Sequence, residues 1–396
     1  MTDRARHLFY LVVFPVGHFS VDTPSGALWL LAPAIGLAWD LSPAEVGFII
    51  TAHSLGGGLG AAPAGLFGDW FRRRGVLLLT TLWWVVLGYL AASVAPGYGV
   101  LVALLGLAGI GGAAWHPIAM ATMVQHMSHR RAQALGAHQT GGVAADAIAP
   151  LAVGVLLNFM DWRAVLQISV IPAALMGASF LYLSRHVRPL GESRISWADL
   201  RLLWVVWRTP SGLRMFLLAV SYNVSFVALL AMTPLFFRDY HGYSSAWVGS
   251  LFAVMLLGGG LAAPILGRLS DEIGRKPVAT LSMGIAAGGA VLTAFAPSTV
   301  PLIVGAVIAA SLLAGVRPVL LAAAVEVAGR REATSLGLIF AVMDGVGALG
   351  GLLAGLAGGA DLRYALVFAA VTAAAATGVS AVHTFGDHQA PRPAIL

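Results

Sequence analysis

The chain has no cysteine and little charge. Its 396 residues contain no Cys, and only 10% of them are Asp, Glu, Lys or Arg. The lack of cysteine excludes a disulfide framework and catalysis by a thiolate. Soluble domains carry about 25% charged residues. The scarcity of charge therefore argues against a soluble globular protein.

Apolar residues make up 59% of the chain instead, and they fall in long runs. A run of about 18 residues is enough to cross the ~30 Å hydrocarbon layer. The 48 glycines favour helices that pack backbone to backbone in lipid. The sequence predicts an all-α integral membrane protein with twelve transmembrane helices. Because the first run is too long for a signal peptide, we expect this span to be retained.

The distribution of basic residues predicts how the chain crosses the membrane. Most of the 23 Lys and Arg residues lie in connections on one side. On the other side we expect only Arg163, Arg238 and Arg363, with Arg317 inside a span. By the positive-inside rule, we expect a protein of the cell (inner) membrane with both termini in the cytoplasm. The net charge of +6 then reflects topology, and we expect no nucleic-acid partner.

The two halves of the sequence repeat one another. Asp22 matches Asn223, and His116-Pro117 matches Arg317-Pro318 at the same offset. We therefore predict two pseudo-symmetric six-helix bundles, residues 1–186 and 213–396, joined by an amphipathic cytoplasmic linker at 187–212. Repeats of this kind place a substrate site near the bilayer midplane, between the halves. We expect a monomer whose partners are the lipid bilayer and a small-molecule substrate.

Two connecting segments carry a recognisable loop motif. Residues 65–74 (GLFGDWFRRR) and 267–276 (GRLSDEIGRK) resemble the loop signature of the Major Facilitator Superfamily. The resemblance implies transport by alternating access. It also implies that the loops act as a gate rather than as a substrate site. To this gate we assign Asp69, Arg72, Arg73, Asp271, Arg275 and, from its position at a span end, Glu326.

A narrower resemblance covers the N-terminal half. Its elements are Gly17-His18-x-x-x-Asp22, Gly109-x-Gly111-x-x-x-Trp115-His116-Pro117, and Gln139-x-Gly141-Gly142 with Pro150. Together they resemble the fosmidomycin-resistance-type branch, which implies proton-coupled export of a small organic molecule or drug. The fifth span also resembles the superfamily's antiporter motif, whose spacing it keeps at Gly136, Ala145, Ala149, Pro150 and Gly154. The chain departs from the pattern at Leu105, where many antiporters carry arginine, and at Asp146.

Charged residues inside spans are the candidate functional groups. Each costs roughly 2.5–3.5 kcal/mol at the bilayer centre, so it is rarely kept without a task. For proton coupling we predict His18, Asp22, Asp146 and Asp344; His18 and Asp22 share a helix face as a relay. Arg317 is predicted to bind an anionic group or to pair with Asp344 or Asp22. Further substrate contacts are predicted at His116, His53, Gln139, Asn223 and Tyr222. For every one of these residues the alternative is a brace between neighbouring helices.

Three functions remain open from the sequence. The first is proton-coupled export of a small organic molecule. The second is uptake or facilitated passage of an anionic metabolite through Arg317. The third is a metal transporter or sensor built on His18, Asp22, His53 and His116. We favour the first, with no bound metal and no cofactor besides the proton gradient. An enzyme is disfavoured because the sequence has no HExxH, GxSxG, Walker or CxxC motif.

Overall fold

The computed structural model describes residues 3–127, 130–187, 205, 207–328 and 341–385. Within these ranges the chain is helical and has no β-strand. The N-terminal half contains α1 (Asp3–Trp39), α2 (Pro43–Trp70), α3 (Arg74–Ser93), α4 (Tyr98–His126), α5 (Arg131–Leu156), α6 (Trp162–Ser169) and α7 (Ile171–Leu183). The C-terminal half contains α8 (Pro210–Leu235), α9 (Ser245–Ile273), α10 (Arg275–Ala294), α11 (Thr299–Ala328), α12 (Leu349–Ala357) and α13 (Leu362–Val382).

These helices confirm the predicted membrane fold. Nine helices within the described ranges are long and apolar enough to cross a bilayer, and α6 and α7 together form one of them. Helices α1 and α2 have 37 and 28 residues, which is also enough. Helix α12 forms the C-terminal part of a shorter apolar segment, Ala341–Ala357. Most of the predicted linker at 187–212 lies outside the described residues, so its amphipathic helix and the domain boundaries stay predictions.

Local sequence explains where several helices begin or break. Ser42 and Glu45 form a capping box at the start of α2: the Ser42 N–H and hydroxyl donate to Glu45 Oε2 at 2.8 and 2.7 Å. Asp361 caps α13 by accepting the Arg363 N–H at 2.9 Å. The side chain and N–H of Arg363 lower the pKa of Asp361 by hydrogen bonding. The break between α6 and α7 lies beside Pro172, which lacks the N–H that would continue the helix.

The halves meet through two equivalent helix pairs, α5 with α9 and α2 with α12. Glycines allow these close approaches. A Cβ on Gly154 would lie 2.5 Å from the Ser245 carbonyl oxygen, and one on Gly47 would lie 2.1 Å from that of Gly351. Both positions therefore require glycine. Thr51 adds a hydrogen bond of 2.7 Å from its hydroxyl to the carbonyl of Ala348.

We call the end of the bundle with residues 72–74 and 274 the loop-signature end, and the end with residues 40–42 and 242 the opposite end. The contacts between the halves at Gly47 and Gly154 lie toward the opposite end. There, Arg238 also donates a hydrogen bond of 2.5 Å to the carbonyl of Pro33 across the interface. The halves are thus held together at the opposite end.

Candidate functional site

The three glycine motifs of the N-terminal half converge in space on α1, α4 and α5. A Cβ on Gly17 would lie 2.4 Å from Cζ2 of the buried Trp115. A Cβ on Gly142 would lie 2.7 Å from His18 Cε1. The glycines therefore make room for the side chains that the other motifs supply.

The motifs build a group of four side chains, the histidine cluster: His18 and Asp22 on α1, His116 on α4 and His138 on α5. His18 Nε2 lies 3.0 Å from Asp22 Oδ2, as the shared helix face predicts. His116 Nε2 lies 3.4 Å from the other carboxylate oxygen of Asp22. The His18 and His138 rings stack at a centroid distance of 4.1 Å. One carboxylate therefore lies against two imidazoles, with a third ring behind them.

The hydrogen bonds of His18 define how many protons the cluster holds. His18 Nδ1 lies 2.7 Å from the carbonyl oxygen of His138, so this nitrogen must carry a proton and donate it. At His18 Nε2 a second proton is needed, because a bare ring nitrogen and a carboxylate oxygen at 3.0 Å would face each other with lone pairs. His18 and Asp22 thus share one exchangeable proton in this arrangement.

A charged pair from the C-terminal half lies on the other side of the interface. Arg317 on α11 donates to Asp344 at 3.3 Å, and the two side chains are 32% and 33% exposed. Of the two carboxylate partners predicted for Arg317, the structure shows Asp344. Asp146 on α5 lies within electrostatic range of Asp22 and of Arg317. Its charge can therefore influence both the histidine cluster and the charged pair.

Three of the predicted substrate contacts are hydrogen-bonded between helices instead. His53 Nε2 and the hydroxyl of the buried Tyr89 lie 2.6 Å apart. The buried Tyr222 donates to the carbonyl of Leu313 at 2.7 Å, and the buried Asn223 donates to that of Met343 at 2.5 Å. Such bonds are what the alternative role as a brace between helices requires. The role of these three residues as substrate contacts stays a prediction.

The remaining predicted contacts, His116 and Gln139, are accessible. His116 belongs to the histidine cluster, and its side chain is 33% exposed. Gln139 is exposed on α5, next to His138 in the sequence. The role of both residues as substrate contacts stays a prediction.

His138 is the member of the cluster that the sequence reasoning missed. It is fully buried, and within the described part of the chain neither of its ring nitrogens has a hydrogen-bond partner. Its position directly before Gln139-x-Gly141-Gly142 was the available signal. A Cβ on Gly141 would lie 2.1 Å from the Pro15 carbonyl oxygen, so this stretch of α5 lies against α1. That contact brings His138 onto His18.

The predicted gate residues of the C-terminal half form a small network. Arg275 donates to Glu326 at 2.5 Å and to Asp271 at 3.3 Å. In the N-terminal half, Arg72 and Arg73 are exposed, and the side chain of Asp69 lies outside the described residues. The gating role of all six residues stays a prediction.

Within the described residues, the histidine cluster also has the composition of a metal site. His18, His116 and His138 each offer a ring nitrogen, and these atoms lie within 4.8 Å of one another. The set differs from the metal alternative drawn from the sequence, because His53 pairs with Tyr89 and His138 takes its place.

Comparison with known proteins places the chain in a family. The family model of the Major Facilitator Superfamily matches residues 16–259 and 239–395. A probable 4-methylmuconolactone transporter of Cupriavidus pinatubonensis is 28% identical over 263 residues, 63% of this chain and 60% of that protein. A putative metabolite transport protein of Haemophilus influenzae is 28% identical over 267 residues, 63% of this chain and 64% of that protein. The matches thus span less than two thirds of the length of either relative.

Solved structures share the fold over nearly the whole chain. A bacterial homolog of the human lysosomal transporter Spinster superposes with a TM-score of 0.76 at 16% identity, covering 94% of this chain and 95% of that one. The nucleoside transporter NupG gives a TM-score of 0.74 at 13% identity, covering 93% and 98%. At these identities the likeness concerns the fold alone. The family match covers nearly the whole chain and shows that this multi-pass membrane protein belongs to the Major Facilitator Superfamily.

Proposed function

We propose that this transporter moves a small organic anion together with protons, through a cavity between its halves. The observation that carries the proposal is the partly exposed Arg317–Asp344 pair. Arg317 and the histidine cluster both lie within electrostatic range of Asp146. A guanidinium presents a fork of N–H donors that matches a carboxylate. An incoming carboxylate can therefore compete with Asp344 for Arg317. This combines the anionic metabolite of the second function that the sequence left open with the proton coupling of the first.

The histidine cluster supplies the coupling ion. His18 and Asp22 hold one exchangeable proton between them in the described arrangement. Loss of that proton leaves a carboxylate facing a bare ring nitrogen, which favours a different packing of α1 against α5. Proton binding in the N-terminal half and anion binding in the C-terminal half can thus shift the equilibrium between the same two conformations. Asp146 interacts electrostatically with both sites and so allows each charge to influence the other.

The positive-inside pattern orients the molecule. It assigns the loop-signature end to the cytoplasm and the opposite end to the exterior. Contacts between the halves at Gly47, Gly154 and Arg238 close the opposite end. We therefore assign the described conformation to a state in which the site is reached from the cytoplasm.

The relatives support a metabolite as the substrate. One is named for 4-methylmuconolactone and another for metabolite transport. Muconolactones carry a carboxylate, which is the group that Arg317 is suited to bind. We therefore place small unsaturated or aromatic carboxylates first among the candidates.

A second candidate, proton-coupled export of a drug, rests on the antiporter-like spacing in α5. Two residues of that motif, Pro150 and Gly154, lie against α9. A Cβ on Gly249 would lie 2.6 Å from the Pro150 carbonyl oxygen and 3.0 Å from Gly154 Cα. Tight packing at this interface seals the opposite end, which suits a protein that loads its cargo from the cytoplasm.

Both candidates are tested with purified protein in liposomes that contain a pH-sensitive dye. A panel of 4-methylmuconolactone, muconate, benzoate and neutral drugs is added, and proton movement is recorded for each compound. We expect carboxylates to move protons and Arg317→Gln to abolish their response. Arg363→Gln is the matched control, because Arg363 pairs with Asp361 at the opposite end. Proton movement with neutral drugs alone, unchanged in Arg317→Gln, would refute the anion proposal and favour drug export.

A further inference from the structure

The histidine cluster has a feature that carrying a proton does not explain. His138 is fully buried with both ring nitrogens unpartnered. A buried polar group without a partner costs about 1–3 kcal/mol. The shared proton of His18 and Asp22 does not use the His138 ring. A ligand that binds ring nitrogens would satisfy it.

We propose that His18, His116, His138 and Asp22 form a binding site for a divalent first-row transition-metal cation of the Zn²⁺ class. The three ring nitrogens already lie within 4.8 Å of one another. Tetrahedral Zn²⁺ holds nitrogen ligands at about 2.0–2.1 Å, which places them about 3.4 Å apart. Side-chain rotations that move each ring nitrogen by about 1 Å would close the cluster around such an ion. Asp22 supplies the fourth ligand, because its carboxylate already contacts His18 and His116.

The surroundings of His18 match those of a metal ligand. Metal-bound histidines donate their second ring N–H to a carbonyl or carboxylate, which directs the other nitrogen at the ion. His18 Nδ1 donates to the carbonyl of His138 at 2.7 Å, leaving Nε2 directed into the cluster. Gly142 preserves the space beside that ring. The orientation of His18 is therefore set for metal binding, and an ion that binds at Nε2 releases to water the proton that His18 and Asp22 share.

The chemistry of the site selects the class of ion. Three imidazoles and one carboxylate suit Zn²⁺, Co²⁺ or Ni²⁺, whereas Mg²⁺ and Ca²⁺ prefer sites made of oxygen atoms. A charge of −1 on Asp22 offsets part of the charge of the cation. His116, with 33% of its side chain exposed, gives the ion a path from the cavity.

The test uses the full-length protein in detergent, stripped of metal with a chelator and titrated with Co²⁺ at fixed pH. We expect one ion per chain and the intense visible absorption of tetrahedral Co²⁺, which Zn²⁺ then removes by displacement. His138→Phe keeps a ring stacked on His18 but removes the nitrogens. It should weaken binding by about 100-fold or more, since even residues behind the ligands contribute 10–100-fold.

His126→Phe is the matched control, because His126 lies on α4 outside the cluster and is hydrogen-bonded to the carbonyl of Thr122. The affinity of this variant for Co²⁺ should equal that of the parent protein. If thermal melting shows that His138→Phe is misfolded, the partly exposed His116→Gln serves in its place. A weak octahedral-type spectrum in the parent, or parent-like binding in the folded variant, overturns the proposal. The titration needs no transport activity, so its outcome is separate from that of the proposed function.

Discussion

A methyl group added at Gly142 tests whether the geometry around His18 is functional. In Gly142→Ala the new Cβ would lie 2.7 Å from His18 Cε1 and 2.8 Å from His18 Nε2. Non-bonded carbon atoms sit at about 3.5–4.0 Å, so the ring must move by about 0.8 Å or more. A shift of this size away from Asp22 would lengthen the 3.0 Å distance between His18 Nε2 and Asp22 Oδ2 beyond that of a hydrogen bond.

The size of the effect follows from that lost contact. Hydrogen bonds to charged groups contribute about 1.5–3 kcal/mol, and 1.4 kcal/mol corresponds to a factor of ten. We therefore expect Gly142→Ala to slow proton-coupled uptake by about 10–100-fold. The assay is the initial rate of uptake of a responsive carboxylate into liposomes, at equal amounts of reconstituted protein.

The matched control is Gly288→Ala on α10, because no atom of the described residues lies within 4 Å of the Cβ that it adds. This variant should transport at the parent rate. Thermal melting of both variants separates a local shift of His18 from loss of the fold. Parent-like transport by a folded Gly142→Ala protein would refute the role given to the His18–Asp22 contact.

Three further outcomes follow from the charged groups and the interface between the halves. Asp344→Asn removes the side chain that competes with the substrate for Arg317, so the KM for a carboxylate substrate should fall. The decrease should reach up to about tenfold if the Arg317–Asp344 contact contributes about 1–1.5 kcal/mol. An increase in KM would show that Asp344 helps to hold the substrate. Glu326→Gln removes one partner of Arg275 and leaves Asp271 as another, and the Glu326 side chain is 31% exposed. Its effect on the free energy of unfolding should therefore stay below about 1 kcal/mol and shrink at high salt; a larger or salt-independent loss would contradict this. Gly47→Val should push α2 away from the α12 backbone. Spin labels attached to cysteines introduced at the opposite end of this Cys-free chain should then lie farther apart in pulsed-EPR measurements. Unchanged distances in a folded variant would exclude the tight contact.

Hydropathy and helix geometry account for what the sequence could predict. Apolar runs of sufficient length mark the spans, because every backbone polar group in lipid must be satisfied within a helix. The His18–Asp22 contact follows from a spacing of four residues on one helix. Both predictions need only local information.

The rest of the site depends on which helix faces meet. His138 joins the cluster because α5 lies against α1, and that contact is not a local property of either segment. Asn223 matches Asp22 in the repeat, yet it donates to a backbone carbonyl instead of contacting a charged group. The repeat therefore predicts where a helix position lies but not what its side chain does.

Asp22→Asn tests the central claim most directly. Asparagine keeps the size of the side chain but cannot hold the proton shared with His18, so uptake in liposomes should no longer respond to a pH gradient, while exchange of labelled for unlabelled substrate continues. Asp40→Asn is the control, since Asp40 lies at the opposite end with a φ of 52° that asparagine also tolerates. The account predicts loss of gradient-driven accumulation in Asp22→Asn alone. Accumulation by Asp22→Asn that still follows the pH gradient as in the parent would contradict it.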